Sequence, residues 1–243
     1  MRADQLIRIL GPIDVLTSAG SVSVGGRRVR ALLGALVIGA GHAVPIDHLR
    51  EVLWPDDPPS SADNTLQSYI SHLRHVLGTD AILRSDHSYE LAAEPSHIDA
   101  LRFESLLTKA TDAKGDAQEC NRLTRDALHL WRGRPFGDLG DDEPFVLEAY
   151  RLEELRLGAI ELNLEAELAL GHHDLIIGEL LVAVEEHPYH ERLWYLLIEA
   201  LAESGRRVEA LRECTRVRGV LADVGVEIGD KLTILEAKVL SGA

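Results

Sequence analysis

The stretch Asn64-Thr-Leu-Gln-Ser-Tyr-Ile-Ser-His-Leu-Arg-His-Val-Leu-Gly78 decides the fold of the first part of this 243-residue chain. Its apolar residues are spaced four, three and four positions apart: Leu66, Ile70, Leu73 and Leu77. This spacing places them on one face of a helix, which predicts that the face is buried in a core. Ser61 or Asp63 is suited to cap the start of the helix, and Gly78 to end it.

The opposite face of this helix carries small or hydrogen-bonding side chains. They are Thr65, Ser68, Tyr69, Ser71, His72 and His75, with Arg74 at the margin. Such groups reach phosphates and base edges when a helix lies in the major groove of DNA. An ordinary solvated surface would show the same pattern, and periodicity alone favours that simpler interpretation.

Two more helices are predicted before this stretch. The first covers residues 28–40, where an apolar stripe is formed by Leu32, Leu33, Leu36 and Val37. The second opens at Pro45 and stops at Trp54, because Pro55 cannot continue a helix. Together the three helices predict a helix-turn-helix domain.

Short strands are predicted on both sides of these helices. Apolar stretches at residues 6–10 and 22–26 are punctuated by Gly and Pro, as strands and turns are. Residues 82–91 have the pattern of a hairpin with a polar tip, which is a candidate wing. Arg84 and His87 in this hairpin join the candidate DNA-binding residues.

Sequence texture and charge change near Glu94-Pro95-Ser96. Residues 1–96 carry a net charge of −3 and residues 97–243 a net charge of −12, with His neutral. After the change, apolar residues recur at helical spacing almost without interruption. We therefore predict one domain at residues 1–96 and a second at residues 97–243. The alternative is that Pro95 is a turn within one domain.

The second half shows the period of tetratricopeptide repeats. Gly171 and Gly205 lie 34 residues apart. Other residues then fall on motif positions of the two units: Ala183, Pro188, Trp194, Leu197 and Ala210. An earlier helix pair is predicted around Gly115, with residues 132–144 as an insert. A generic helical bundle is the alternative, but the 34-residue register favours stacked repeats.

The net charge of −15 argues against an indiscriminate polyanion binder or a peripheral membrane protein. The longest low-polarity run, residues 31–41, is shorter than the roughly 20 residues of a membrane span. The N-terminal residues lack the apolar core of a signal peptide. Cys120 and Cys214 are expected to be reduced core residues. These features predict a cytoplasmic protein without membrane attachment.

Residues 27–92 resemble the winged-helix effector domain of OmpR/PhoB-type response regulators. The resemblance is closer to the actinobacterial antibiotic regulatory proteins (the SARP/AfsR family), through Arg30-Ala-Leu-Leu33, Leu53-Trp54 and Thr65-Leu-Gln-Ser-Tyr69. This chain departs from that family where His72 and His75 replace the usual arginines, which weakens phosphate attraction. Ser88 also stands where the wing usually has Gly, and Ser enters positive φ less readily.

The second half resembles the bacterial transcriptional activation domain that follows the winged helix in the same regulators. The matching runs are Arg102-Phe-Glu104, Ala127-Leu-His-Leu-Trp-Arg-Gly-Arg-Pro-Phe136, Glu148-Ala-Tyr-Arg-Leu-Glu-Glu-Leu-Arg156, Glu165-Ala-Glu-Leu-Ala-Leu-Gly171, His187-Pro188, Glu191-Arg-Leu-Trp194 and Val220-Leu-Ala-Asp-Val-Gly-Val-Glu227. The two resemblances imply an α+β winged helix-turn-helix domain followed by an all-α tetratricopeptide-like domain.

The resemblance implies a sequence-specific DNA-binding transcriptional activator of a secondary-metabolite gene cluster. Such a protein would bind direct repeats in double-stranded promoter DNA, recruit RNA polymerase holoenzyme and self-associate as a dimer on DNA. The alternative is a repeat-based interaction regulator whose winged helix has lost DNA binding. The net charge of −3 in residues 1–96 supports that alternative.

An enzyme is the weakest of the three hypotheses. The His187-Pro-Tyr-His190 and His172-His173 pairs lack the helical spacing of a zinc motif. Gly25-Gly26-Arg27 lacks the further glycines of a dinucleotide loop, and the sequence contains no nucleophile elbow. We therefore expect no catalytic residue, no cofactor and no metal site.

Overall fold

The computed structural model describes residues 5–242. Their contacts group into two compact units. The first unit contains the described residues up to Thr108 together with Asp126–Leu157. The second contains Lys109–Arg125 and the described residues from Gly158 onward. The division predicted at residues 96 and 97 stays a prediction.

The first unit contains two three-stranded antiparallel sheets. The first sheet is a meander of β1 Leu6–Arg8, β2 Asp14–Thr17 and β3 Gly20–Val22. The second sheet has the order β4-β6-β5, with β4 Val44–Pro45, β5 Ile82–Ser85 and β6 Ser88–Leu91. The strand predicted at residues 6–10 is confirmed over Leu6–Arg8, and the predicted hairpin is confirmed. The strand prediction at residues 22–26 is wrong beyond Val22, where β3 ends, and β2 and β4 were not predicted.

Three helices follow β3 in the chain, with β4 between the first two: α1 Arg27–Ile38, α2 Ile46–Leu53 and α3 Ala62–Leu77. The predicted helix-turn-helix is therefore confirmed. The first helix ends at Ile38, before residue 40, since the following N–H groups of Ala40 and His42 donate to carbonyls only three residues back, Val37 at 3.0 Å and Gly39 at 2.9 Å. The side chain of Val44 would block a Cβ at position 39.

The predicted side-chain cap of α3 is wrong. Ser61 is the N-cap residue, but its side chain makes no capping hydrogen bond. The Asp63 carboxylate instead accepts a hydrogen bond from Arg50 of α2. The first backbone hydrogen bond of α3 runs from the Thr65 N–H to the Ser61 carbonyl, at 2.9 Å. The Asp63 carboxylate, which the sequence suggested as a cap, thus links α3 to α2.

The segment predicted as an insert is part of the first unit. The Arg132 N–H donates to the Leu10 carbonyl and the Phe136 N–H to the Ile9 carbonyl, each at 2.8 Å. Phe136 is fully buried. The helices on either side of this segment are α4 Asp99–Asp112, α5 Ala117–Leu128 and α6 Phe145–Ala169. Residues 132–136 are therefore hydrogen-bonded to the segment that directly follows β1.

The second unit is a helical repeat. After α6 it contains α7 His173–Glu186, α8 Glu191–Glu203, α9 Arg207–Ala222 and α10 Asp230–Ser241. Gly171 and Gly205 have φ of +81° and +73° in the turns before α7 and α9. The His172 N–H donates to Glu167, and the Arg206 N–H donates to Leu201. Because both partners shift by 34 residues, the predicted repeat is confirmed over these two units.

Cys120 and Cys214 are buried free thiols, as the sequence predicts. Burial raises the pKa of both groups, to about 11 for Cys214. Within residues 5–242, no helix combines the length and apolar character that a membrane crossing requires.

Candidate nucleic-acid interface

The inner face of α3 fixes the orientation of the helix. Its four predicted core residues are at most 1% exposed: Leu66, Ile70, Leu73 and Leu77. The predicted polar face consequently points away from this core. Ser68, Ser71, His72 and His75 are exposed, whereas Thr65, Tyr69 and Arg74 are half-buried.

Two of the half-buried side chains hydrogen-bond within the first unit. The Thr65 hydroxyl donates to the Ser61 carbonyl at 3.0 Å. The Arg74 guanidinium donates to the Ile82 carbonyl, from Nε at 3.0 Å and from Nη2 at 2.7 Å. Arg74 therefore connects α3 to the first strand of the hairpin.

His72 connects α3 to the segment before α1. Its Nε2 atom donates to the Val24 carbonyl at 3.1 Å. Because the carbonyl can only accept, this contact leaves Nδ1 as the ring nitrogen available to another partner. Ser68, Ser71 and His75 have no side-chain hydrogen bond recorded within residues 5–242. These three groups are available for hydrogen bonds to DNA.

The hairpin of β5 and β6 forms the candidate wing. Ser85 pairs with Ser88, so its exposed tip is Asp86-His87. The His87 carbonyl accepts a hydrogen bond from the Ile46 N–H at 2.9 Å, which attaches the tip to the start of α2. The exposed Arg84 guanidinium lies 5.9 Å from the centre of the Tyr89 ring.

A cleft of about 370 Å³ lies where α2, α3 and the hairpin meet. Asp47, Arg50, Asp63 and Arg84 are among its lining residues. Arg50 is paired with both aspartates, and its hydrogen bond with Asp63 raises the pKa of the guanidinium. Arg50 therefore bridges α2 and α3, and its charge is matched by its two partners.

Arg27 and Arg28 were not predicted as site residues. They line a second cleft, of about 860 Å³, that also contains Tyr69 of α3. The signal that could have identified the two arginines is their position at the start of a helix that directly precedes the predicted helix-turn-helix.

Two sheets around three helices, with an outward polar face of α3 beside a two-stranded hairpin, define the class of winged-helix DNA-binding regulators. Residues 98–240 match the family model of the bacterial transcriptional activator domain. Residues 23–86 match the model "Transcriptional regulatory protein, C terminal".

Relatives align over nearly the whole chain. It is 33% identical to the regulatory protein DnrI of Streptomyces peucetius, over 96% of this chain and 91% of DnrI. It is 34% identical to the transcriptional regulatory protein EmbR of Mycobacterium tuberculosis, over 96% of this chain and 62% of EmbR. A structure of M. tuberculosis EmbR in complex with a low affinity phosphopeptide matches with a TM-score of 0.91 and 32% identity. The match covers 98% of this chain and 65% of that one.

The chain belongs to the SARP family of actinobacterial antibiotic regulatory proteins. It is accordingly a DNA-binding transcriptional activator. The roles of the individual α3 and hairpin residues stay predictions.

Proposed function

We propose that this protein activates a secondary-metabolite gene cluster in the cytoplasm by binding direct repeats in its promoter as a dimer and recruiting RNA polymerase holoenzyme. The outward face of α3 enters the major groove, and the hairpin reaches the neighbouring backbone. Ser68, Ser71 and His75 are the groups that we assign to base edges and phosphates. Residues 97–243 contact protein partners, since their net charge of −12 repels DNA phosphates.

The observation that carries this proposal is the division of α3 into two faces. One face is fully buried and the other presents hydroxyl and imidazole groups beside an exposed hairpin tip. Small polar side chains alone also fit a solvated surface, but here the same unit carries an exposed hairpin, and a winged helix contacts DNA with these two elements together. This division therefore favours a role in groove binding over an ordinary surface.

The rival proposal is an interaction regulator whose winged helix has lost DNA binding. Two observations favour it. Residues 1–96 have a net charge of −3. The charge of Arg50 is matched by aspartates, and the donors of Arg74 are directed to a carbonyl. Fewer free cations leave a weaker attraction for the DNA backbone.

The experiment separates these proposals with the full chain. An operator duplex is first selected by the parent from a random-sequence DNA pool, and affinity is then measured by mobility shift at several salt concentrations. Ser71→Glu should weaken binding at least ten-fold, because the added charge would face the phosphates and base acceptors of the groove. Ser105→Glu adds the same charge to an exposed position of α4 and should change binding little.

The selected sequences also test the finer claims. Enrichment of two copies of one motif in the same orientation supports binding to direct repeats by a dimer. If no sequence is enriched, sequence-specific DNA recognition is refuted and the interaction regulator is favoured. If both glutamate variants bind a selected duplex like the parent, DNA binding stands, but its assignment to the outward face of α3 is refuted.

A further inference from the structure

The N-terminal end of α1 lies against the outward face of α3. His72 of α3 donates to the carbonyl of Val24 at 3.1 Å. A Cβ built on Gly25 would lie 3.5 Å from the same imidazole nitrogen. The chain enters α1 two residues later, at Arg27. The first turn of α1 is therefore next to the surface that we assign to DNA.

Arg27 and Arg28 share an open cleft with Tyr69 of α3. Both arginines are exposed, and Arg28 has no ion pair recorded within residues 5–242. Its guanidinium lies 5.9 Å from the centre of the Trp54 ring. Two guanidinium groups beside α3 offer the phosphate contacts that the histidines on α3 provide only weakly.

An acidic turn covers part of this cationic surface. The Asp142 carboxylate pairs with Arg27. The Asp138 carboxylate accepts hydrogen bonds from Arg30 at 2.8 and 3.0 Å and lies 3.9 Å from Nε of Arg27. Arg27 is thus matched by carboxylates, and Arg28 is the uncompensated neighbour.

The position of the acidic turn is fixed by buried neighbours. Phe136 and Phe145, on either side of it, are at most 1% exposed, and their ring centres lie 5.1 Å apart. The Phe136 N–H donates to the Ile9 carbonyl at 2.8 Å. The carboxylates therefore remain near the arginines without relying on the ion pairs themselves.

We propose that Arg27 and Arg28 form a phosphate-binding surface beside α3, and that Asp142 competes with the DNA phosphates for Arg27. This proposal rests on the DNA-binding function proposed above. The pair of Arg27 and Asp142 is solvent-exposed, at 56% and 41%, and such pairs are weak. A phosphate can therefore displace the carboxylate, and the competition lowers affinity for DNA by about two- to five-fold.

The test uses the full chain and the operator duplex selected by the parent. Asp142→Asn should tighten binding about two- to five-fold and steepen the salt dependence by about one counterion. Asp141→Asn is the matched control, since it removes the same charge one position away. Asp141 pairs with Arg134 at 2.7 Å rather than with Arg27. The control should show the small general effect of one lost negative charge.

A second background shows whether Arg27 transmits the effect. In an Arg27→Gln chain, Asp142→Asn should give no more gain than Asp141→Asn. Equal gains from the two asparagine variants in the parent background, or a gain that survives Arg27→Gln, would overturn the competition. Circular dichroism melting of each variant confirms that the first unit is folded.

Arg28→Gln tests the surface independently of the acidic turn. It should weaken binding about two- to five-fold and reduce the salt slope by about one, because it removes an exposed cation that makes no ion pair within residues 5–242. Unchanged affinity and slope would exclude Arg28 from the surface. If the parent selects and binds no duplex, the DNA-binding function fails together with this proposal. If the parent binds its selected duplex but the Asp142→Asn and Arg28→Gln variants leave affinity and salt slope unchanged, only this proposal is refuted.

Discussion

Asp99 is a fully buried carboxylate in the first turn of α4. Its oxygens accept hydrogen bonds from the backbone N–H groups of Ile9 at 2.8 Å and Leu10 at 3.0 Å. Burial raises the pKa of Asp99 to about 6, although these hydrogen bonds and the nearby Arg132 oppose the rise. A protonated Asp99 is therefore favoured in the folded state at mildly acidic pH.

We predict that Asp99 makes the first unit less stable as the pH rises from about 4 to about 6. In that window the folded state retains a proton that the unfolded state has lost, so the free energy of unfolding falls by on the order of 2–3 kcal/mol. Asp99→Asn removes this contribution. Urea denaturation measures the free energy of unfolding of the parent and the variant at several pH values. The difference between the two should change with pH below pH 6 and be constant above pH 7. A constant difference throughout would contradict the prediction.

Leu73 and Ser71 show how differently neighbouring positions of α3 should respond to truncation. Leu73 is 0% exposed, so Leu73→Ala should lower the free energy of unfolding by about 2–5 kcal/mol. Ser71 is exposed, and Ser71→Ala should change it by less than about 0.5 kcal/mol. Thermal denaturation measures both. Similar losses in the two variants would mean that α3 is oriented differently.

The two faces of α3 also show what was predictable at single residues. Leucine spacing identified the inner face, because helical periodicity is a local property of the sequence. The partners of the outer residues were not predictable. Arg74 donates to Ile82 and His72 to Val24, and these contacts depend on how the hairpin and the segment before α1 fold back. The burial of Asp99 was missed for the same reason.

Helix α1 packs closely at Gly34. A Cβ at this position would lie 2.8 Å from Cε1 of Phe145 and 3.3 Å from Cδ1 of Ile13. Glycine here is thus required by packing, since its φ is not positive. The absence of a side chain allows the buried Phe145 ring to approach the helix.

We predict opposite effects for two glycine-to-alanine changes in helices. Gly34→Ala should lower the free energy of unfolding by about 1–3 kcal/mol, since Phe145 must move. Gly158→Ala, in α6, should raise it by about 0.5–1 kcal/mol, because an added Cβ meets nothing within 4 Å and alanine favours a helix. Denaturation followed by circular dichroism distinguishes them. Stabilisation by both changes would show that the α1 contact is loose.

At the scale of elements, the helical repeat was predictable from the sequence, whereas backbone pairing between segments far apart in the chain was not. The 34-residue spacing of Gly171 and Gly205 marked two equivalent turns. Strand β4 has only two residues, too few for alternation to be recognised. Residues 132–144 looked like an interruption, because their backbone partners Ile9 and Leu10 lie more than 120 positions away.

For the whole molecule, negative charge is concentrated in the C-terminal part of the chain. Residues 97–243 have a net charge of −12, against −3 for residues 1–96. The residues that face outward on α3 and the hairpin belong to the less acidic part. A fragment of residues 97–243 is therefore expected to leave promoter DNA unshifted, because its field repels phosphates.

The last prediction concerns where the DNA-binding part can be cut. A fragment of residues 1–96 lacks Asp99, Arg132 and Phe136, which hydrogen-bond to Ile9 and Leu10 just after β1, and Phe145, which packs against Gly34 of α1. Its Ile9 and Leu10 backbone groups would lose their partners, so the fragment should be much less stable than the same residues in the full chain. A fragment of residues 1–157 retains all of these groups. Hydrogen exchange should show slow Ile9 and Leu10 amides in the longer fragment and fast ones in the shorter. Equal protection in both would mean that residues 1–96 fold independently of the segment that packs against them.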